Sequence, residues 1–322
     1  MIHNKWYAIL PSKAVKINQI TATRRLNSDL ALFRNSKGDL GCVVDQCTHR
    51  GASLSLGKVK GDCIECPFHG LQFDRDGKCR FIPANGKAST DDTNRYNVKT
   101  MLVKEKNDII FLWFGDEDKA ENEKLPFFDA EVDETYVYSE LKDHWNAHYS
   151  RCIENQLDVV HLPFVHHNTI GRGNKTLVNG LKVVWEDGIL TTSANNDIDE
   201  GQRPKSAQDC VIKETHLSFI YPNVWMNHIS NKIKVIIYFA PVDDENTILY
   251  IRFYCKATPL RLVNILIAFL GKYANKVIER QDTRVVVTQK PKPSSLRSGE
   301  KLLTGDSPII TYRRIREDLK KI

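Results

Sequence analysis

The arrangement Cys47-x-His49 followed by Cys66-x-x-His69 constrains this chain more than any other feature. Sixteen residues separate the two halves. Each half supplies one thiol and one imidazole, and each carries a glycine just past its histidine, Gly51 and Gly70. Glycine lets a backbone turn tightly around a bulky group. Two chemistries accept two cysteines and two histidines. Zinc takes them tetrahedrally, but zinc-finger spacing groups like residues with like. Here the types alternate within each loop. That suits a [2Fe–2S] cluster with both cysteines on one iron and both histidines on the other, where neutral imidazoles raise the reduction potential. On spacing alone, zinc stays open as the alternative.

Around these loops, residues 5 to about 115 read as short strands, clearest at 6–10, 29–34, 40–45, 63–65, 71–74, 96–105 and 109–114. Asp74-Arg75-Asp76-Gly77-Lys78 reads as a hairpin. The almost wholly charged stretch 116–124 reads as a linker. Beyond it, 145–160 and 261–290 carry helical spacing, and 177–255 alternates like antiparallel strands, clearest at 233–240 and 247–255. The expected class is therefore α+β: an all-β domain over 1–115, then a helix–antiparallel-sheet domain over 116–322. Its 322 residues give room for two domains.

The net charge of +6 is mild, and its densest run, Arg313, Arg314, Arg316, Lys320 and Lys321, reads as a solvated face rather than a nucleic-acid surface. The most apolar stretch, Leu262 to Leu270, is broken by Asn264 and far too short to span a membrane, and no apolar signal core opens the chain. We expect a cytoplasmic protein with no membrane partner and with reduced thiols. Cys42, Cys63, Cys79, Cys152, Cys210 and Cys255 then read as small core fillers.

A second set of ligands lies in the stretch from Glu154 to His167. Non-haem iron that activates O2 is held by two histidines and a carboxylate on one face, with positions left open. His161 and His166 are five residues apart, about 140° around a straight helix. Pro163 is expected to break the helix so that the second histidine swings back. Farther on, Asp282 is expected on one apolar helix face with Ile278, Val285 and Gln289. A carboxylate there is costly unless paired or bound to metal. Glu279 is the alternative third ligand.

Cys47-Thr48-His49-Arg50-Gly51-Ala52, Cys66-Pro67-Phe68-His69-Gly70 and the closing Phe111-Leu112-Trp113-Phe114-Gly115 resemble the Rieske domain of ring-hydroxylating oxygenases. Asn155, Asp158, His161 and His166 resemble the family's iron motif, N-x-x-D-x-x-H-x4-H. The resemblance implies a Rieske [2Fe–2S] cluster on Cys47, His49, Cys66 and His69, and a mononuclear Fe(II) on His161, His166 and Asp282. It implies that Asp158 lies between the two centres, bridging a cluster histidine of one subunit to an iron histidine of its neighbour. A head-to-tail homotrimer follows from that. Asn155 matches the family's asparagine near the iron, and His167 is expected beside the site or at the surface. His216, Asn227 and His228 fall in the sheet that walls the family's substrate pocket. His144 and His148, four apart, are expected on one helical face without a metal role.

No nucleotide-binding glycine motif is present, so electrons are expected from a flavin reductase, with or without a ferredoxin, drawing on NADH or NADPH. The expected function is a terminal oxygenase component acting on a small organic substrate with O2, as a monooxygenase, demethylase or dioxygenase. The rival is a Rieske-type electron carrier without oxygenase chemistry, which would leave some 200 residues without a task.

Overall fold

Short β-branched and aromatic runs, broken by Asp, Asn and Gly turns, fold the first unit, Asn4–Leu125, into three small antiparallel sheets. The computed structural model describes residues 1–321. Lys5–Pro11, Ile109–Phe114 and Val103–Lys106 form one sheet, and Ile20–Arg25, Ser28–Arg34 and Leu40–Val44 a second. Lys58–Lys60, Cys63–Glu65, Gln72–Phe73 and Cys79–Phe81 form the third. Phe33, Val43, Ile64 and Phe73 build the core on which Cys47 and Cys66 rest.

The expected hairpin forms, with Asp74 Oδ1 accepting from the amides of Asp76 (3.0 Å) and Lys78 (2.9 Å). Gly77 has φ +73°, and a Cβ there would stand 2.3 Å from the Val98 carbonyl oxygen, so only glycine fits. The stretch 96–105 is strand only at its end. Asn94–Tyr96 is a 3-10 turn, and Val98 instead donates to the Gly77 carbonyl. The charged segment 116–124 lies inside this unit. Trp6 Nε1 donates to the Ala120 carbonyl (3.2 Å), and Lys5 pairs with Glu123 (2.5 Å).

The second unit comprises Met1–His3 and the chain from Pro126 onward. Its seven-stranded antiparallel sheet runs in the order Val137–Trp145, Thr247–Cys255, Ile233–Pro241, Val224–Ser230, His216–Ile220, Ile189–Thr192 and Val183–Glu186. The helices are α1 (Tyr149–Leu157), the single turn α2 (Leu162–Val165), the long α3 (Arg261–Val286) and α4 (Ser307–Leu319). Helix α3 lies on the first two strands, where Gly271 allows contact with the Phe253 ring; a Cβ there would be 2.7 Å from it. Helix α1 packs between the sheet, α3 and α4, over a core of Trp145, Tyr149, Ile153, Phe219, Phe239 and Tyr312.

Three expectations need correction here. The stretch 145–160 is not one helix. His144 closes a strand opposite Ile248, whereas His148 caps α1 by accepting from the Ser150 amide, so the two histidines share no helical face. In the C-terminal part of α3 the buried positions are Glu279, Asp282 and Val286. Val285 is exposed and Gln289 lies past the helix end, so the inward face is rotated by one residue from the expected one. Finally, Arg313 and Arg316 are buried rather than solvated. Arg313 and Arg151 bracket Glu154 and Glu300 in a four-charge network, with Arg313 Nη2–Glu154 Oε2 at 2.8 Å and Arg151 Nη1–Glu300 Oε1 at 2.6 Å. No helix among the described residues is long and apolar enough to cross a membrane.

Candidate metal centres

In the first unit, the Leu40–Val44 and Cys63–Glu65 strands lead into two loops of the same design. The Cys47 amide donates to the Ala52 carbonyl (2.8 Å) and the Gly51 amide to the Cys47 carbonyl (2.9 Å). The Cys66 amide donates to the Leu71 carbonyl (2.8 Å) and the Gly70 amide to the Cys66 carbonyl (3.0 Å). Gly51 and Gly70 both sit at φ +75°, a conformation that side chains other than glycine resist. Both cysteines are buried and both histidines are exposed. The His49 and His69 rings lie 4.6 Å apart. Burial pushes the Cys47 thiol up to about 11, and the adjoining Cys66 adds to this, so a bound cation would favour its thiolate.

A tetrahedral zinc with bonds of about 2.0–2.3 Å would draw all its ligand atoms close together. Among the described residues, the group of three or more His, Cys, Asp or Glu ligand atoms that lie within 4.8 Å of one another is His161, His166 and Asp282. The cysteine–histidine tetrad instead pairs two buried cysteines with two exposed histidines on matching loops, the donor set of a cluster with thiolates on one iron and imidazoles on the other.

That compact triad occupies the second unit. Helix α1 ends at Leu157. Asp158 then turns the chain, its Oδ1 accepting from the Val160 amide (2.6 Å). His161 and His166 flank α2 as its N-cap and C-cap residues, with Pro163 in its first turn. The helix thus breaks at Asp158, earlier than expected, and Pro163 starts a new turn, as its fixed φ favours. Helix α3 contributes Asp282. His166 Nε2 lies 3.0 Å and His161 Nε2 3.5 Å from Asp282 Oδ1. Glu279 points elsewhere, buried and with its pKa raised well above the usual carboxylate range by burial and by the Asp282 charge.

The contacts at the triad are close but not aligned as hydrogen bonds, and Asp282 Oδ1 and His161 Nδ1 are buried without hydrogen-bond partners. His166 Nδ1 lies 2.8 Å from Gln281 Oε1. The Gln281 amide is oriented by Asn168 Oδ1, which accepts from its Nε2 (2.8 Å), and by the Thr169 hydroxyl, which donates to its Oε1 (2.9 Å). Nδ1 of His166 therefore carries a proton, which leaves Nε2, beside Asp282 Oδ1, as the nitrogen that can offer a lone pair to a metal. A cation held between the two would satisfy both atoms. The donor set thus fits a divalent iron: two imidazoles and a carboxylate converge on one point, with outer partners fixing a tautomer.

His161 Nδ1 lies 3.4 Å from Asp158 Oδ2. Burial alone would lower the His161 pKa. Asp158 and Asp282 overcome it and raise it to about 9. Burial likewise opposes ionisation of Asp282, and the two histidines hold its pKa down.

A cavity of about 210 Å³ opens on the triad. Asn155, Asp158, His216 and Asn227 line it, with Leu162, Leu217, Trp225 and Ile278 as its apolar wall. His216 and His228 stack with ring centroids 4.6 Å apart, and the Nδ1 of each bonds the Glu214 carbonyl (2.8 and 2.9 Å). His228 does not line the cavity. His167 is exposed, its Nδ1 on the Phe164 carbonyl (3.0 Å). Gln281 is the residue that sequence reasoning missed; its only signal is its place beside Asp282 on α3.

Comparison with known proteins agrees with this architecture. The Rieske [2Fe–2S] domain model matches residues 5–101, and the vanillate O-demethylase oxygenase C-terminal domain model matches residues 145–321. Chlorophyllide a oxygenase of Chlamydomonas reinhardtii is 33% identical over 53% of this chain and 26% of its own length. Cholesterol 7-desaturase of Drosophila melanogaster is 30% identical over 74% of this chain and 59% of its own. The matches thus span about a quarter to three-fifths of these relatives. In fold, the chain is similar to caffeine-bound NdmA of Pseudomonas putida CBB5, with a TM-score of 0.81 at 21% identity over 99% of this chain and 91% of that one. With a domain model matching over half its length, the chain belongs to the Rieske oxygenases, joining a Rieske [2Fe–2S] domain to a catalytic domain of the vanillate O-demethylase type.

Proposed function

We propose that this chain is the terminal oxygenase component of a multicomponent system that oxidises a small, largely apolar organic molecule with O2. In this reading Cys47, His49, Cys66 and His69 hold the [2Fe–2S] cluster, and His161, His166 and Asp282 hold a mononuclear Fe(II). The observation that carries it is the buried, unaligned contact of His166 Nε2 with Asp282 Oδ1 at the foot of a cavity large enough for a small substrate. An electron carrier has no use for such a cavity. The family's demethylase description favours hydroxylation or dealkylation of a substrate C–H bond.

Iron bound here would supply the open coordination positions at which O2 is reduced. The protein's own residues do the rest. Gln281 fixes the His166 ring by taking its Nδ1 proton in a hydrogen bond. Asp158 faces Nδ1 of His161 and keeps that ring turned toward the triad. Leu217, Trp225 and Ile278 keep water from the substrate, while Asn155 and Asn227 offer it polar contacts. Electrons come from a flavin reductase, directly or through a ferredoxin. In a homotrimer, Asp158 would bridge His161 to a cluster histidine of the neighbouring subunit and so link the two centres. All eight cysteines are free, which suits the reducing cytoplasm.

The test is reductase-driven turnover of a substrate panel, with product measured beside NADH oxidation. His161→Ala should keep the cluster absorbance and lose product formation at least about a hundredfold. Normal product formation in this variant would reject the iron assignment.

A further inference from the structure

Helix α3 is inverted in character over its first four turns, with a more apolar face toward solvent than toward the protein. Leu262 is 81% exposed, Leu266 57%, Leu270 59%, and Phe269, Tyr273 and Val277 are exposed with them. At 3.6 residues per turn these six fall within an arc of about 100°, and they run about 22 Å along the axis. The opposite face buries Asn264 and Ala268. Asn264 is polar because it pins the helix start: it accepts from the Thr258 amide (2.9 Å) and donates to the Thr258 carbonyl (2.8 Å).

An exposed stripe of this size marks an interaction surface. The charges around it say what kind. Helix α3 has two acidic residues, Glu279 and Asp282, and both are buried. Every charged side chain that it shows to solvent is a cation: Arg261, Lys272, Lys276, Arg280 and Arg284. Lys272 Nζ stands over the Phe269 and Tyr273 rings at 4.8 and 5.1 Å, so the cationic flank borders the aromatic part of the stripe. At the start of the helix, an open cavity has Lys232, Lys256 and Arg261 as its charged lining, with no acidic side chain among the lining residues. Lys256 is paired with Asp133 (3.1 Å), but the exposed charges of α3 itself are all cations, and an apolar face flanked so is the pattern of a helix lying in the interface of a membrane with anionic headgroups. A second copy of this stripe would bring its own five cations against these five, which disfavours pairing of the face with itself.

We propose that the first four turns of α3 dock this protein on the surface of an anionic lipid bilayer, with Leu262, Leu266, Phe269 and Leu270 entering the acyl boundary and the flanking cations meeting lipid phosphates. The helix lies on the bilayer and does not cross it. The proposal is independent of the iron assignment.

Flotation of the full-length protein with vesicles tests it, using phosphatidylcholine alone against phosphatidylcholine with about 30 mol % phosphatidylglycerol. The protein should float with the anionic vesicles and be released in part at about 0.5 M NaCl, where exposed charges are screened. Leu266→Gln combined with Phe269→Gln should lower partitioning by roughly tenfold or more, the worth of one large apolar side chain. Its circular dichroism and sedimentation coefficient should stay as in the parent protein. Lys272→Gln with Lys276→Gln should reduce the preference for anionic over neutral vesicles. The proposal is overturned if the parent protein does not float with anionic vesicles, or if the Leu266/Phe269 variant floats equally well. It is also overturned if that variant lowers the sedimentation coefficient, which would make the face a contact between copies of this chain.

Discussion

At the scale of single residues, the iron reading turns on how His166 is held. Its Nε2 lies 3.0 Å from Asp282 Oδ1 while Gln281 engages its other nitrogen. Gln281→Ala should therefore loosen the metal without removing a ligand. We expect mononuclear iron affinity to fall by about 10- to 100-fold, the usual effect of losing an outer partner of a metal-bound histidine, with the cluster retained. Iron titration of the apoprotein measures this, and unchanged affinity would mean that Gln281 does not orient the ligand. Asp282 was legible in the sequence as a carboxylate where only pairing or metal makes one tolerable. Its exact face was not, because Val285 and Val286 are equally apolar and only packing against the sheet selects Val286 as the inward one. Gln281 was illegible, since its partners Asn168 and Thr169 reach it across more than a hundred residues of sequence.

At the scale of elements, α1 leads the chain into the site, and two devices hold it. The first is the buried network of Arg151, Glu154, Glu300 and Arg313 that ties α1 to α4. Arg313→Ala leaves the buried Glu154 carboxylate with Arg151 alone and removes both of its bonds to α4, which costs about 3 kcal/mol. The melting temperature should drop on the order of 10 °C; a change of a degree or two would show that the carboxylate finds another partner. The C-terminal arginines were misread as solvated because a basic run carries no mark of the acids it meets, and Glu154 lies 159 residues away.

The second device is His148, the N-cap of α1, which burial and then the Arg316 charge hold neutral, with its pKa down from 6.5 to about 4. A pKa depressed by folding means that the unfolded chain takes up the proton first. Stability is fully present above pH 6.5 and is lost as pH falls toward 4, by up to roughly 3 kcal/mol. His148→Asn keeps a capping side chain and should flatten stability across that window, as read by melting temperature at pH 7 and pH 4.5. An unaltered acid sensitivity would remove His148 as its cause.

At the scale of the whole molecule, the division into a small β unit and a helix–sheet unit followed from turn chemistry and period. The 109–114, 233–240 and 247–255 strands stand almost where alternation put them. The three-residue strands at 58–60 and 79–81 were not legible, because they are held by pairing with 63–65 and 72–73 and carry no alternation of their own. Motif spacing pointed to the candidate ligands Cys47, His49, Cys66, His69, His161 and His166, because loops that wrap a metal must repeat their geometry in few residues. The amphipathic inversion of α3 stayed hidden for the opposite reason: an apolar run reads as core until the structure shows which side faces out.

That two distinct iron centres share one chain is open to direct count. Protein purified and reconstituted without oxygen should hold about three irons and about two acid-labile sulfides per chain, falling to about two irons with sulfide unchanged in Asp282→Ala. Zinc in place of iron, or an iron content that Asp282→Ala leaves untouched, would contradict it.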